Sequence, residues 1–421
     1  MPAGAACSLG KVLRSSVNPQ SGSLNPIAND SVVSQTSGNI CVEVVTDLEE
    51  LVHYQSAWDR LALAAPRPIP MSSAAWIIPY VKHRLREQER WAVLFAFDGS
   101  EMVGVLPLLI CPHRVFGMDT VQLRTMFGPH TYSVDILADG PRESEIITAL
   151  LANLDKVDKH WHHLVMRRLS PTSPLFNFIE QQPRSLRQYS EECDSGSYFR
   201  TIGDFDDYYK SLSRKTRRAL AGTHNRVNRL DDVRFVFLPN GESTEARVQD
   251  FIRVDAASWR GKAGYAIDSD PSVLSFYREV IQRLAELGWL EWHFMEVDNL
   301  AVAAQLAVKM GRRLIIKRIS YDESFASYGP GNILFERSLM RAFASEDIDE
   351  VDFLTDMPWH DKWQRQKHVY RHLWVYAPRS FPFVTGYLPA RAKVLLRRIP
   401  GLVSAFHFVS KLARRIRGER P

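Results

Sequence analysis

Cysteine is scarce in this 421-residue chain: Cys7, Cys41, Cys111 and Cys193 are scattered, and no two stand at metal-ligand or redox spacing. That argues against both a disulfide framework and a structural zinc, and fits a reducing compartment; no metal ligands are expected. Long apolar runs are missing as well. Met1 to Gly10 is followed by Lys11 and Arg14 without a signal-peptide core, and no stretch approaches membrane-spanning length, so a cytoplasmic protein is expected. A strong charge of one sign is also lacking. The formal net charge of +5 is too mild to imply nucleic acid, and no DNA partner is expected.

Apolar residues make up 45% and charged residues 24% of the chain, the balance of a globular protein with a substantial core. The length allows two or three ordinary domains. Residues 1–38 are rich in Ser, Asn, Gly and Pro without apolar periodicity, which predicts a disordered arm. Structure is expected to begin at Ile40–Val44, a strand, followed by a helix capped by Asp47. The strand Trp91–Phe97 ends at Asp98-Gly99, a hairpin turn signal, and Met102–Ile110 returns with Pro107 marking a bulge or an edge. A strand at 121–126, a helix at 143–157 and a strand at 161–169 complete the first half.

The second half repeats this order. Helices at 244–259 and 271–287 precede the strand 290–297, the turn Asp298-Asn299, and strands at 302–308 and 314–320. Then come Tyr328-Gly329-Pro330-Gly331-Asn332, an amphipathic helix with Phe335, Leu339, Ala342 and Phe343 on one stripe, and a strand at 350–354. The repeated order hints at internal duplication. Gly-Pro-Gly permits a sharp turn and a close backbone approach to a ligand. Behind it, the N–H groups of Gly331, Asn332 and Ile333 are expected to face outward from a helix start suited to a diphosphate.

Two basic segments remain. Ser213 to Arg218 continues through His224, Arg226 and Arg229 on one helix, read either as a solvated face or as a phosphate-facing surface. Residues 390–421 mix Lys and Arg with Val, Leu and Phe. This is either a solvated tail or a peripheral contact at the inner face of a membrane.

Several stretches, taken in order, resemble the acetyltransferase-like family associated with bacterial cellulose and exopolysaccharide synthesis. It belongs to the GNAT superfamily and is similar to Fem-type aminoacyl transferases with tandem GNAT domains. The stretches are Tyr208 to Arg218, Ala256-Ala257-Ser258-Trp259, Phe276-Tyr277 before Leu284 to Gly288, Tyr321-Asp322 with Tyr328-Gly329-Pro330-Gly331, and Val351-Asp352-Phe353-Leu354. They span roughly residues 198–376. The segment Trp359-His360-Asp361-Lys362-Trp363 departs from the family, with His360 where lysine is usual.

The resemblance implies an α/β fold of two tandem GNAT-like domains, each a mixed, mostly antiparallel central sheet flanked by helices. Their expected bounds are 39–196, degenerate, and 197–380, binding acyl-CoA, with a basic tail from 381. It implies acyl transfer from acetyl-CoA or another acyl-CoA to an amine or hydroxyl, with the acyl arm between parted strands 314–320 and 350–354. Amides near residues 318–320 are expected to polarise the thioester. The cofactor is expected on Ser320, Gly329, Pro330, Gly331, Asn332 and Ile333. Proton acceptors are sought among His360, Asp322, Glu296 and His293, and acceptor contacts at Trp259, Gln305 and Lys362. The acceptor is expected to be a small molecule or a sugar- or lipid-linked amine or alcohol. Two alternatives stand beside this reading: a Fem-like transferase using aminoacyl-tRNA, and a non-catalytic scaffold at a membrane surface.

Overall fold

The computed structural model describes residues 40–182 and 186–397. Its strands are β1 (Cys41–Val45), β2 (Arg90–Asp98), β3 (Glu101–Val115), β4 (Met118–Arg124), β5 (Leu137–Ala138), β6 (Trp161–Leu169) and β7 (Arg187–Arg200), followed by β8 (Val233–Leu238), β9 (Leu290–Val297), β10 (Leu300–Met310), β11 (Arg313–Tyr321), β12 (Glu350–Asp352) and β13 (Gln366–Tyr376). They form one mixed, mostly antiparallel sheet in the order β1-β2-β3-β4-β6-β13-β7-β12-β11-β10-β9-β8, with β5 paired to β3.

That order has an internal symmetry. β4 runs parallel to β6 in the first half, as β11 runs parallel to β12 in the second. Each half then closes on a strand that follows the other half's parallel strand: β13 pairs with β6, and β7 pairs with β12. β7 and β13 also pair with each other from Arg187 to Tyr198, which makes the sheet continuous. A boundary at 196/197 falls inside β7.

Local chemistry accounts for the elements. Asp47 caps its helix by accepting the N–H groups of Glu49 and Glu50. Asp298 and Asn299 take positive φ in the β9–β10 turn, as a tight hairpin requires. Pro107 lies opposite Val93, and on its other side sits between the short β5 pairing at Gly104–Val105 and the β4 pairing that begins at Leu109. Its missing donor therefore breaks no ladder bond, as the edge expectation anticipated.

Helices cover both faces. On one lie α1 (Ala74–His83), α2 (Glu245–Ala257) and α3 (Pro271–Glu286), which pack Trp76, Phe251 and Phe276 into the largest core. On the other, α4 (Pro330–Phe343) packs Phe335 and Leu339 against Leu314, Ile316 and Trp363. The basic helix 214–227, capped by Ser213, lies against α4. The chain ends its described course in the helix Leu388–Arg397; the rest of the expected basic tail, 398–421, lies outside the described residues, as does the N-terminal arm. Among the described residues no helix is long and apolar enough to cross a membrane.

Candidate active site

β11 is paired along its length with β10 but meets β12 only at its start, where Arg313, Leu314 and Ile315 lie opposite Glu350, Val351 and Asp352. Beyond Ile315 the two strands part. The opening is a cleft of about 610 Å³ that runs from the Gly329 turn along β11 to the segment 353–362.

A β-bulge shapes the β11 wall. Leu306 pairs with Arg318 and Ala307 with Ile316, so Lys317 is the extra residue. Ile316 and Ile319 both contribute to the core under α4. The two residues between them, Lys317 and Arg318, therefore project together from the opposite face, as a bulge allows and a regular strand does not. The carbonyl of Ile319 accepts a bond from Arg260 Nη1 at 2.7 Å. Since successive residues in a strand aim their peptide groups to opposite sides, the Ile319 N–H also faces the parting, within the expected 318–320 stretch.

Asp255 organises the basic face. It is fully buried and accepts two bonds from Arg318, at 2.8 and 2.7 Å, one from the Ser320 hydroxyl at 2.6 Å and one from the Ile267 N–H at 2.9 Å. Arg260 lies 4.0 Å from the same carboxylate and stacks on Trp259. Lys317 is buried with its ammonium 3.8 Å from the ring centre of Tyr132. That ammonium, more than any other group, draws the Tyr132 phenol below the usual tyrosine range. Lys317, Arg318 and Arg260 thus line the same wall, where Asp255 is the carboxylate paired with Arg318 and near Arg260, which leaves the wall cationic.

The opposite wall holds His360, in the turn Pro358–Trp363. Its Nδ1 accepts the Met357 N–H at 3.3 Å, and its Nε2 is buried without a partner. Burial lowers its pKa to about 4, so the ring is neutral at pH 7.

At the mouth, Gly329 takes φ 64° as the N-cap of α4, with Pro330 at the first helical position. The donors here are fewer than expected. The N–H groups of Asn332 and Ile333 both bond back to the Gly329 carbonyl, at 3.0 and 3.3 Å, because the first turn closes on its own cap. The Gly331 N–H is left as the donor at this end. Lys362, whose pKa is lowered by burial, donates to the Asn332 side chain and holds a cation beside the turn.

Of the residues expected from sequence, His360, Lys362, Trp259, Ser320, Gly329, Gly331 and Asn332 line this cleft. Ser320 turns its hydroxyl to Asp255, and Ile333 is buried beneath the turn. Others stand elsewhere. Asp322 caps the turn 323–328 by accepting the Ser324 N–H and hydroxyl. Glu296 is ion-paired with Arg247. Gln305 and His293 belong to a buried network, in which Gln305 Oε1 lies 2.8 Å from both His293 Nδ1 and Ser338 Oγ. The basic helix 214–227 reaches the turn through Arg226, which donates to the Ser327 carbonyl at 2.7 Å.

Sequence reasoning missed Tyr132, Lys317 and Arg260. Tyr132 follows Phe127-Gly128-Pro129, and the second half carries Tyr328-Gly329-Pro330. That shared aromatic-Gly-Pro signal was available, and it marks the first-half loop that enters the cleft.

Residues 214–365 match the family model described as an acetyltransferase (GNAT) domain. No curated protein matches the chain. Among solved structures, FemX superposes with a TM-score of 0.54 at 10% identity, covering 82% of this chain and 100% of that one. The C-terminal domain of a putative lysylphosphatidylglycerol synthetase from Agrobacterium fabrum gives 0.46 at 9% identity, covering 80% of this chain and 95% of that one. A tandem GNAT protein from the clavulanic acid biosynthesis pathway gives 0.41 at 11% identity, covering 80% of this chain and 100% of that one. Residues 214–365 are thus similar to a GNAT acetyltransferase domain, set in a chain that has the fold seen in FemX.

Proposed function

We propose that the protein is an acyl-CoA-dependent N- or O-acyltransferase acting on an envelope or exopolysaccharide precursor. The observation that carries the reading is the parting of β11 from β12 beside a glycine turn, which leaves a peptide N–H aimed into a cleft. In this reading the diphosphate of the cofactor rests at the Gly331 N–H and Lys362, and the acyl arm lies along β11. The Ile319 N–H donates to the thioester oxygen, where charge accumulates as the acceptor attacks. The acceptor approaches from the cationic wall. Arg260, Lys317 and Arg318 line this wall and outnumber the one carboxylate, Asp255, that pairs with Arg318, which favours an acceptor that carries a phosphate or a carboxylate, such as a sugar nucleotide.

Tyr132 is positioned to take the proton of the attacking amine or hydroxyl, its phenolate form stabilised by Lys317. Because Nδ1 of the neutral His360 ring accepts the Met357 N–H, the unpartnered Nε2 carries the ring proton and offers a hydrogen-bond donor to the acyl arm or acceptor.

A second reading, transfer from aminoacyl-tRNA, draws on the likeness in fold to FemX and the exposed Arg214, Lys215 and Arg218 at the head of the basic helix. Thermal-shift titration separates the two, because a ligand bound only by the native state raises the melting temperature. A dose-dependent rise with acetyl-CoA supports the first reading. No rise with any CoA thioester, together with a rise on adding aminoacyl-tRNA, overturns it in favour of the second.

A further inference from the structure

Far from this cleft the first half carries a second β-bulge. Val121 of β4 pairs with Trp161 and Gln122 with His163, so His162 is the extra residue. Trp161 and Leu164 belong to one core, beneath the sheet. His162 and His163 therefore project side by side from the other face. His113 of β3 reaches the same point, and the ring centres of the three histidines lie 5.1 to 5.8 Å apart.

We propose that His113, His162 and His163 form a binding site for a divalent transition-metal ion, with zinc its simplest occupant. One ring nitrogen from each histidine falls within 4.8 Å of the others. The Nδ1 atoms of His162 and His163 face each other at 2.9 Å. Two imidazole ligands on a tetrahedral zinc, at about 2.0–2.1 Å from the metal, stand roughly 3.3 Å apart. The pair needs to open by only a few tenths of an ångström. The outer nitrogens are already held: His162 Nε2 lies 2.9 Å from the Thr385 hydroxyl, and His163 Nε2 lies 2.8 Å from the Gln122 amide. With Nδ1 ligating, each Nε2 carries the ring proton: the Thr385 hydroxyl, which itself donates to the Phe381 carbonyl, accepts it from His162, and the Gln122 amide, whose nitrogen now faces His163, turns its oxygen to accept it there.

The donor set selects the class of ion. Three imidazoles without a carboxylate suit zinc, copper, nickel or iron, and not calcium or magnesium, which require oxygen. His162 and His163 are buried while His113 is half-exposed, so solvent reaches one side and a water can complete the coordination. Strands β13, β7 and β12 separate β6 from β11, which puts the site roughly 19 Å from the thioester channel at ordinary strand spacing. Its role is structural: the ion joins β3 to β6, while its outer partners come from β4 and from the segment 383–387 beyond β13. The expectation of no metal rested on cysteine spacing, and the bulge that aligns adjacent histidines is invisible in sequence.

The test is zinc titration of the metal-stripped full chain by calorimetry, with metal content measured after dialysis. One zinc per chain is expected, with a rise in the melting temperature. His113→Gln changes the half-exposed ligand, so the fold survives; its affinity should fall by more than the roughly 10- to 100-fold typical of losing an outer-shell partner. His53→Gln, at an exposed histidine outside the cluster, should bind as the parent does. Absence of stoichiometric zinc in the parent overturns the proposal, as does a His113→Gln variant that binds zinc as tightly as the parent.

Discussion

Replacing Asp255 by alanine should cost the fold about 3–5 kcal/mol, the range for removing one partner of a buried ion pair. The structure places the residue at the severe end. Asp255 is fully inaccessible, and four donated hydrogen bonds converge on it, two of them from an Arg318 that is itself only 9% exposed. Truncation leaves a buried guanidinium with a hydrogen bond to the Tyr265 carbonyl and no carboxylate to balance its charge. It also leaves Arg260 without the carboxylate that lies 4.0 Å from it. The loss is read as a lower urea midpoint at unchanged slope. A double variant, Asp255→Leu with Arg318→Met, removes both charges and should recover most of the loss, because the desolvation cost of the pair disappears with it. If the single variant loses less than about 1 kcal/mol, or the double variant is no better than the single, the picture of a dry ion pair organising the cleft wall is wrong.

Other expectations follow from the same geometry. Tyr132→Phe should lower kcat by about 10²- to 10⁴-fold with little change in melting temperature, and Lys317→Met should move the ultraviolet phenolate titration of Tyr132 to higher pH. His360 is held neutral, with a folded pKa of about 4 against about 6.5 unfolded, so the unfolded chain binds the extra proton between those values. Its contribution therefore falls as the pH drops from 6.5 to 4, by up to about 1.4 kcal/mol per unit, and denaturant melts of His360→Gln should lack that slope. Gly329→Ala places a Cβ 3.1 Å from Thr223 Cγ2 at φ 64°. About 1–2 kcal/mol of stability should be lost in a urea melt, along with affinity for coenzyme A.

Much of the fold was legible because its elements carry strong local signals. The strand at 290–297, the Asp298-Asn299 turn and the helix that opens at Pro271 are formed where apolar period, turn residues and caps agree. β7 was not visible: Arg187 to Arg200 is polar through most of its length, and it is a strand because β13 and β12 pair with it. α1 was hidden by its interior Pro79 and by an apolar run that fits strand as well as helix. In the site, the glycine turn and His360 could be read from residue types alone. Lys317 and Arg318 could not, since only a bulge aligns neighbours on one face, and Tyr132 lies far from them in the chain. Asp322 and Glu296 looked available as bases because sequence does not show that one caps a turn and the other pairs with Arg247.

The central claim is tested most directly by a crystal structure of the full chain with a non-hydrolysable thioether analogue of acetyl-CoA. The account predicts the diphosphate at the Gly331 N–H and Lys362, the pantetheine arm between β11 and β12, and the acyl oxygen within hydrogen-bond distance of the Ile319 N–H. An analogue bound elsewhere, or β11 and β12 zipped together beyond Ile315, contradicts it.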